Sequence, residues 1–145
     1  MTKQEIETRL CEYLGVTKVL WLRDGIDPDE TNGHIDDVAC FVAPGEVACA
    51  YTDNPKHPFY DALQKAYTDL CGMTDAKGRP LKVHKICCPE ETVRIGEFNI
   101  SAVNGSKARN EGDICIASYI NFLIVNGGVI VPQYGLSLIH ISEPT

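Results

Sequence analysis

A mixed α/β fold is predicted by short β-branched runs that alternate with amphipathic helical stretches and are punctuated by Pro-Gly and Asn-Gly turns. The 145 residues have the length of one ordinary domain, and an apolar fraction of 44% suffices for a core. The chain opens on a polar amphipathic helix, with Leu10 and Leu14 on its apolar stripe and Gly15 as its stop. Residues 17–22 then read as a short buried strand. Residues 23–33 are rich in Asp, Gly, Pro and Asn, the chemistry of a loop. A second strand over 34–42 ends at Pro44-Gly45, and a third over 46–51 pairs with it as a hairpin. After a loop at 52–57, the spacing of Phe59, Leu63, Ala66 and Leu70 predicts a helix from about residue 58 to 71, with Pro58 at its first position.

The second half continues the alternation. Residues 73–80 are a polar loop, and 81–88 alternate in the manner of a strand. Residues 90–112 carry less pattern, with a short strand at 93–95 followed by a Gly- and Asn-containing loop. Residues 114–125 are the most apolar stretch, too short for a bilayer and rich in β-branched and aromatic residues, so a core strand is expected. Asn126-Gly127 is a two-residue hairpin signal, with a return strand over 128–132.

Thirteen basic against 20 acidic side chains give a formal charge of -7, which would repel nucleic acid and suits a cationic ligand better. No apolar run reaches the ~20 residues that span a bilayer, and the opening helix does not read as a signal peptide. No membrane partner is expected, and the expected compartment is the cytoplasm. The seven cysteines, an odd number without a CxxC pair, suggest neither a disulfide framework nor a zinc ribbon. Most are expected to be buried thiols, with Cys87 and Cys88 pointing to opposite faces of their strand.

The chemistry concentrates in residues 24–37, which hold six carboxylates in fourteen residues with no lysine or arginine among them. Like charges raise one another's pKa values, so the stretch is either a solvated loop or a site for positive charge. His34 and Asp36, two apart on an extended chain, would share one face, and Gly33 before them would let another group approach the backbone. A carboxylate can accept two parallel hydrogen bonds from a guanidinium, and an imidazole passes protons near neutral pH. The same histidine could also be a hydrogen-bonded residue of a half-buried strand. Asp24, Asp27 and Asp29 are oxygen ligands of the kind calcium prefers, but they miss the spacing of an EF-hand loop. His34 and Asp36 lack an evident third ligand for zinc or iron, so no metal site and no cofactor are assigned.

At these residues the sequence resembles the agmatine deiminases of the guanidine-modifying superfamily. The resemblance is carried by Trp21-Leu22, Gly25-Ile26, Asp29-Glu30-Thr31-Asn32-Gly33-His34-Ile35-Asp36, Ala39-Cys40-Phe41-Val42 and Pro44-Gly45-Glu46-Val47. It continues in Ala117-Ser118-Tyr119-Ile120-Asn121-Phe122 and in the run from Asn126 to Gly135, covering about residues 1 to 135. The resemblance implies a pentein, an α/β propeller of five ββαβ units around a substrate channel, of which this chain would hold about two to three. It also implies a hydrolase acting on a C–N bond, in which a cysteine attacks the guanidine carbon of agmatine and ammonia departs. Hydrolysis of the amidino intermediate releases N-carbamoylputrescine, a step of putrescine and polyamine biosynthesis. By position, His34 would be the acid/base group, Asp36 a catalytic carboxylate that grips the guanidinium, and Glu30 a substrate-binding group toward the primary amine. The expected partner is thus a small cationic guanidine, and a homo-oligomer of the full-length parent is allowed.

The family's first guanidinium-binding aspartate and a further glutamate belong to earlier repeats, and its nucleophile sits in a Gly-Asn-x-His-Cys context that none of these cysteines shares. Cys115 comes nearest to the C-terminus, but nothing cationic stands beside it to lower its pKa. Residues 136–145 resemble a translated sequencing adaptor, so an unrelated tail is expected there and Met1 is expected to be internal to a longer gene. The expectation is therefore an inactive piece of an enzyme, with uncovered strand edges that favour self-association. Two alternatives stand beside it: a bacterial-type peptidylarginine deiminase, and a non-enzymatic calcium-binding module built on residues 24–37.

Overall fold

The computed structural model describes residues 1–26, 33–96 and 110–134. Helix α1 (Lys3–Leu14) starts where Thr2 and Glu5 form a reciprocal capping box and stops where Gly15 takes a left-handed conformation, φ 65°. None of its residues is buried, and Leu14, expected on the apolar stripe, is exposed. It is tied to the following chain by Trp21 Nε1, which donates to Glu7 at 2.6 Å, and by Lys3, 5.1 Å from the Trp21 ring centroid.

The centre is a three-stranded sheet of order β1-β2-β3, made by β1 (Ala39–Ala43), β2 (Glu46–Tyr51) and β3 (Lys82–Cys87). β1 and β2 form the antiparallel hairpin expected around Pro44-Gly45, with Ala39 opposite Cys49 and Phe41 opposite Val47. β2 and β3 run parallel, Val47 beside Val83 and Ala50 beside Ile86, which requires a crossover; helix α2 (Tyr60–Cys71) supplies it. The order β1, β2, α2, β3 is one ββαβ unit. Because β2 is central, its alternate side chains bury on both faces. Ala48 and Ala50 join Leu63, Ala66, Ile26, Val38 and Ile120, while Val47 and Cys49 join Leu70 and Leu81. The helix face expected from the sequence is the one that packs, although α2 begins after Phe59 rather than at Pro58.

Three expectations need correcting. Residues 17–22 form no strand: no described strand offers them a ladder, and Leu20 and Leu22 pack as irregular chain against the core. Residues 114–125 are not a core strand. Ile114 makes an isolated bridge to Arg94, Ser118 and Ile120 bury in a turn, and only β4 (Leu123–Val125) is extended. β4 pairs with β5 (Gly128–Ile130) through the Asn126-Gly127 turn, with Val125 opposite Gly128, and both strands are exposed throughout. Finally, of the seven cysteines only Cys49 is buried, while Cys71 and Cys87 are exposed. Burial pushes the Cys49 thiol up to about 12 and the Cys88 thiol up to about 11, which keeps both protonated and unreactive at neutral pH.

Candidate active site

The His34 neighbourhood is a turn, not a strand. Residues 34–38 were expected to be extended, but Ile35–Asp37 form a single turn of 3-10 helix, with Val38 N donating to Ile35 O at 2.9 Å. Val38, 2% exposed, is the anchor: its side chain lies in the core and its carbonyl accepts from Ala50 N at 2.9 Å. The chain therefore enters the sheet within a few residues of Gly33, and the tight turn leaves the His34 and Asp36 side chains exposed. His34 Nδ1 lies 3.8 Å from Asp36 Oδ1, and the two side chains are 64% and 55% exposed. The imidazole and the carboxylate do converge, by a turn rather than by the pleat of a strand, and both are open to a ligand.

Gly33, at φ 73°, enters this turn in a conformation that suits glycine, and its close neighbour is Gly25. A Cβ on Gly25 would lie 2.9 Å from the Gly33 Cα and 3.0 Å from its carbonyl oxygen. The two glycines therefore bring the flanks of the acidic stretch into contact immediately before His34. Gly25→Ala is expected to destabilise the chain by about 1–3 kcal/mol, because backbone must yield to backbone. Gly96→Ala, where a Cβ meets nothing within 4 Å, serves as the near-neutral control, and the urea midpoints of the two variants measure the difference.

Electrostatics divide the carboxylates. Asp24 accepts from Lys65 Nζ of α2 at 3.1 Å, and that bond holds its carboxyl below the usual range. A lysine 41 residues away thus meets part of the acidic charge that the stretch itself leaves unbalanced. Asp37 goes the other way: partial burial raises its pKa, the neighbouring Asp36 adds to the rise, and Asn121 and His34 oppose it. Glu30, Asp27 and Asp29 lie outside the described residues, as do the tail at 136–145 and much of the loop that follows Ile95. Among the described residues no cluster of three or more His, Cys, Asp or Glu side chains could hold a metal ion, and no helix is long and apolar enough to cross a membrane.

Residues that sequence reasoning passed over come from the C-terminal segment. Ser118, 1% exposed, donates its hydroxyl to Asp37 O at 2.7 Å and accepts from Ile120 N at 3.3 Å. Tyr134 OH donates to Ser118 O at 3.0 Å, and Asn121 Nδ2 donates to Asp36 Oδ2 at 3.4 Å. The available signal was a serine inside the most apolar stretch, since a buried hydroxyl needs partners.

Known proteins resemble this chain over most of its length. A relative from Enterococcus faecalis is 66% identical over 136 residues, which are 93% of this chain and 37% of that protein. The agmatine deiminase of Pseudomonas fluorescens is 45% identical over 136 residues, 92% of this chain and 37% of its own length. The chain thus spans about 37% of the length of the curated relatives it matches. The solved structure of the agmatine deiminase of Enterococcus faecalis superposes with a TM-score of 0.89 at 64% identity, over 95% of this chain and 38% of that one. A family model described as Porphyromonas-type peptidyl-arginine deiminase matches residues 1–138, and the chain belongs to that family.

Proposed function

We propose that this chain is a segment of a cytoplasmic agmatine deiminase, a pentein that hydrolyses agmatine to N-carbamoylputrescine and ammonia in polyamine biosynthesis. The observation that carries the chemistry is the convergence of His34 and Asp36, 3.8 Å apart and both accessible. The choice of agmatine over peptidyl-arginine is supported by 64% identity to an agmatine deiminase of solved structure. Asp36 accepts hydrogen bonds from the planar guanidinium, and His34 delivers a proton to the departing ammonia and then takes one from the water that hydrolyses the intermediate. The role assigned to Glu30 is recognition of the primary amine. The attacking sulfur is assigned to the parent protein outside these residues, because none of the seven cysteines stands in the Gly-Asn-x-His-Cys context of the family's nucleophile.

In this reading the ββαβ unit of β1, β2, α2 and β3 is one blade of the propeller, and the β4–β5 hairpin begins the next. A pair of unit charges 4 Å apart is worth about 1 kcal/mol in water and about 4 kcal/mol at an effective dielectric of 20, so the grip on the substrate needs a channel that excludes water. His34 and Asp36 are too exposed here to provide that alone.

The test is a hybrid in which the matched segment of this chain replaces its counterpart in the Enterococcus faecalis agmatine deiminase. The hybrid is expected to release ammonia and N-carbamoylputrescine from agmatine, and the 145-residue chain alone is expected to release neither. A folded hybrid that acts on peptidyl-arginine and not on agmatine would overturn the substrate assignment.

A further inference from the structure

We propose that Asn121 is a positioning residue for Asp36: its side-chain amide holds the carboxylate in the orientation that meets a guanidinium, and Ser118 locks the turn that carries it. The inference rests on the reading of Asp36 as the guanidinium grip and adds a residue to that site from the far end of the chain.

The Asp36 carboxylate has separate surroundings for its two oxygens, Oδ1 near His34 at 3.8 Å and Oδ2 accepting from Asn121 at 3.4 Å. A carboxyl group that is 55% exposed and has a rotatable side chain would otherwise sample several rotamers, so a donor on one oxygen selects among them. That donor is also of a suitable kind. An amide is neutral and orients the carboxylate without cancelling the charge a cationic substrate needs, whereas a lysine or arginine would compete with the guanidinium itself.

The turn beneath Asn121 is fixed far more firmly than an exposed loop requires. Ser118 is 1% exposed, and its hydroxyl bridges the Asp37 carbonyl and the Ile120 amide, while Tyr134 OH donates to the Ser118 carbonyl. Ile120 is 1% exposed and lies in the same core cluster as Val38, the residue that anchors the Asp36 turn. Two turns 81 residues apart in sequence are thereby joined through a buried hydrogen bond and a shared core. Asn121 itself is exposed and fills no core space, so what it contributes is its side-chain amide, which meets the Asp36 carboxylate and also reaches Asp37. Among the described residues, His34 and Asp37 are the titratable groups that meet Asp36 on its own turn, while Tyr134 of the C-terminal segment faces Asp37 and pairs with Tyr119.

Two measurements test the proposal. By NMR on this chain, the Asn121 side-chain amide signals should move in Asp36→Asn, and move less in Asp37→Asn, whose carboxylate the amide also reaches. Signals that ignore Asp36 would overturn the contact. In the hybrid, Asn121→Ala should lower kcat/KM for agmatine about tenfold with an unchanged thermal midpoint. Asn121→Asp, equal in shape but with a charge facing Asp36, should lower it further. A packing role predicts the reverse order, because the aspartate fills the same space, so an aspartate variant as active as wild type, or more active than the alanine variant, would sink the assignment. A hybrid with Asn121 intact that does not act on agmatine counts against the functional reading, while the NMR result still decides the contact.

Discussion

His34→Ala in the hybrid is expected to lower kcat for agmatine by about 10²–10⁴-fold, the usual worth of a positioned acid/base group. Because proton transfer belongs to the chemical steps and not to substrate binding, kcat and kcat/KM should fall together while KM changes little. The fold should survive, since the imidazole is 64% exposed and, among the described residues, its neighbours are the carboxylates of its own turn rather than core groups. Circular dichroism and the thermal midpoint check that point, and ammonia release checks the rate. Turnover within a few-fold of wild type would make His34 a surface residue of the turn and remove the acid/base role from the site.

That the pair could be found in the sequence at all owes something to chance in the backbone. Extended residues two apart share a face because the side-chain period is two, and this was the ground for joining His34 to Asp36. The actual segment is a 3-10 turn, in which neighbours are brought together by curvature instead. The residue that forces the turn is Val38, whose burial against β2 is a tertiary fact that no local pattern reveals. Elements set by local chemistry were legible: the hairpin at Pro44-Gly45, the α2 stripe of Leu63, Ala66 and Leu70, and the Asn126-Gly127 turn. Elements that depend on a partner strand were not. Residues 17–22 and 114–122 are apolar enough for strands but find no described ladder, so they bury their leucines and isoleucines as irregular chain. The same limit hid Ser118 and Asn121, whose partners Asp37 and Asp36 lie 81 and 85 residues upstream.

Leu63→Ala is expected to destabilise this chain by about 2–5 kcal/mol, the range for emptying a leucine site in a core that relaxes only in part. Leu63 is 0% exposed and sits among Ala48 and Ala50 of the central strand, Ala66 of its own helix, and Ile26, Val38 and Ile120. Several of those neighbours are alanines, which cannot swing in to fill the space, so the upper half of the range is favoured. Leu63→Met, close in volume, should cost less than about 1.5 kcal/mol. Urea unfolding followed at low protein concentration reads the difference as a lower midpoint with an unchanged slope. A loss below about 1 kcal/mol for the alanine variant would mean that α2 is not clamped to β2 at this point. The consequence reaches the site, because Ile26, Val38 and Ile120 in the same cluster border the Gly25–Gly33 contact, the Asp36 turn and the Asn121 turn respectively. Loosening the cluster should therefore weaken agmatine turnover in the hybrid as well, and less than His34→Ala does, since the reacting groups are displaced but still present.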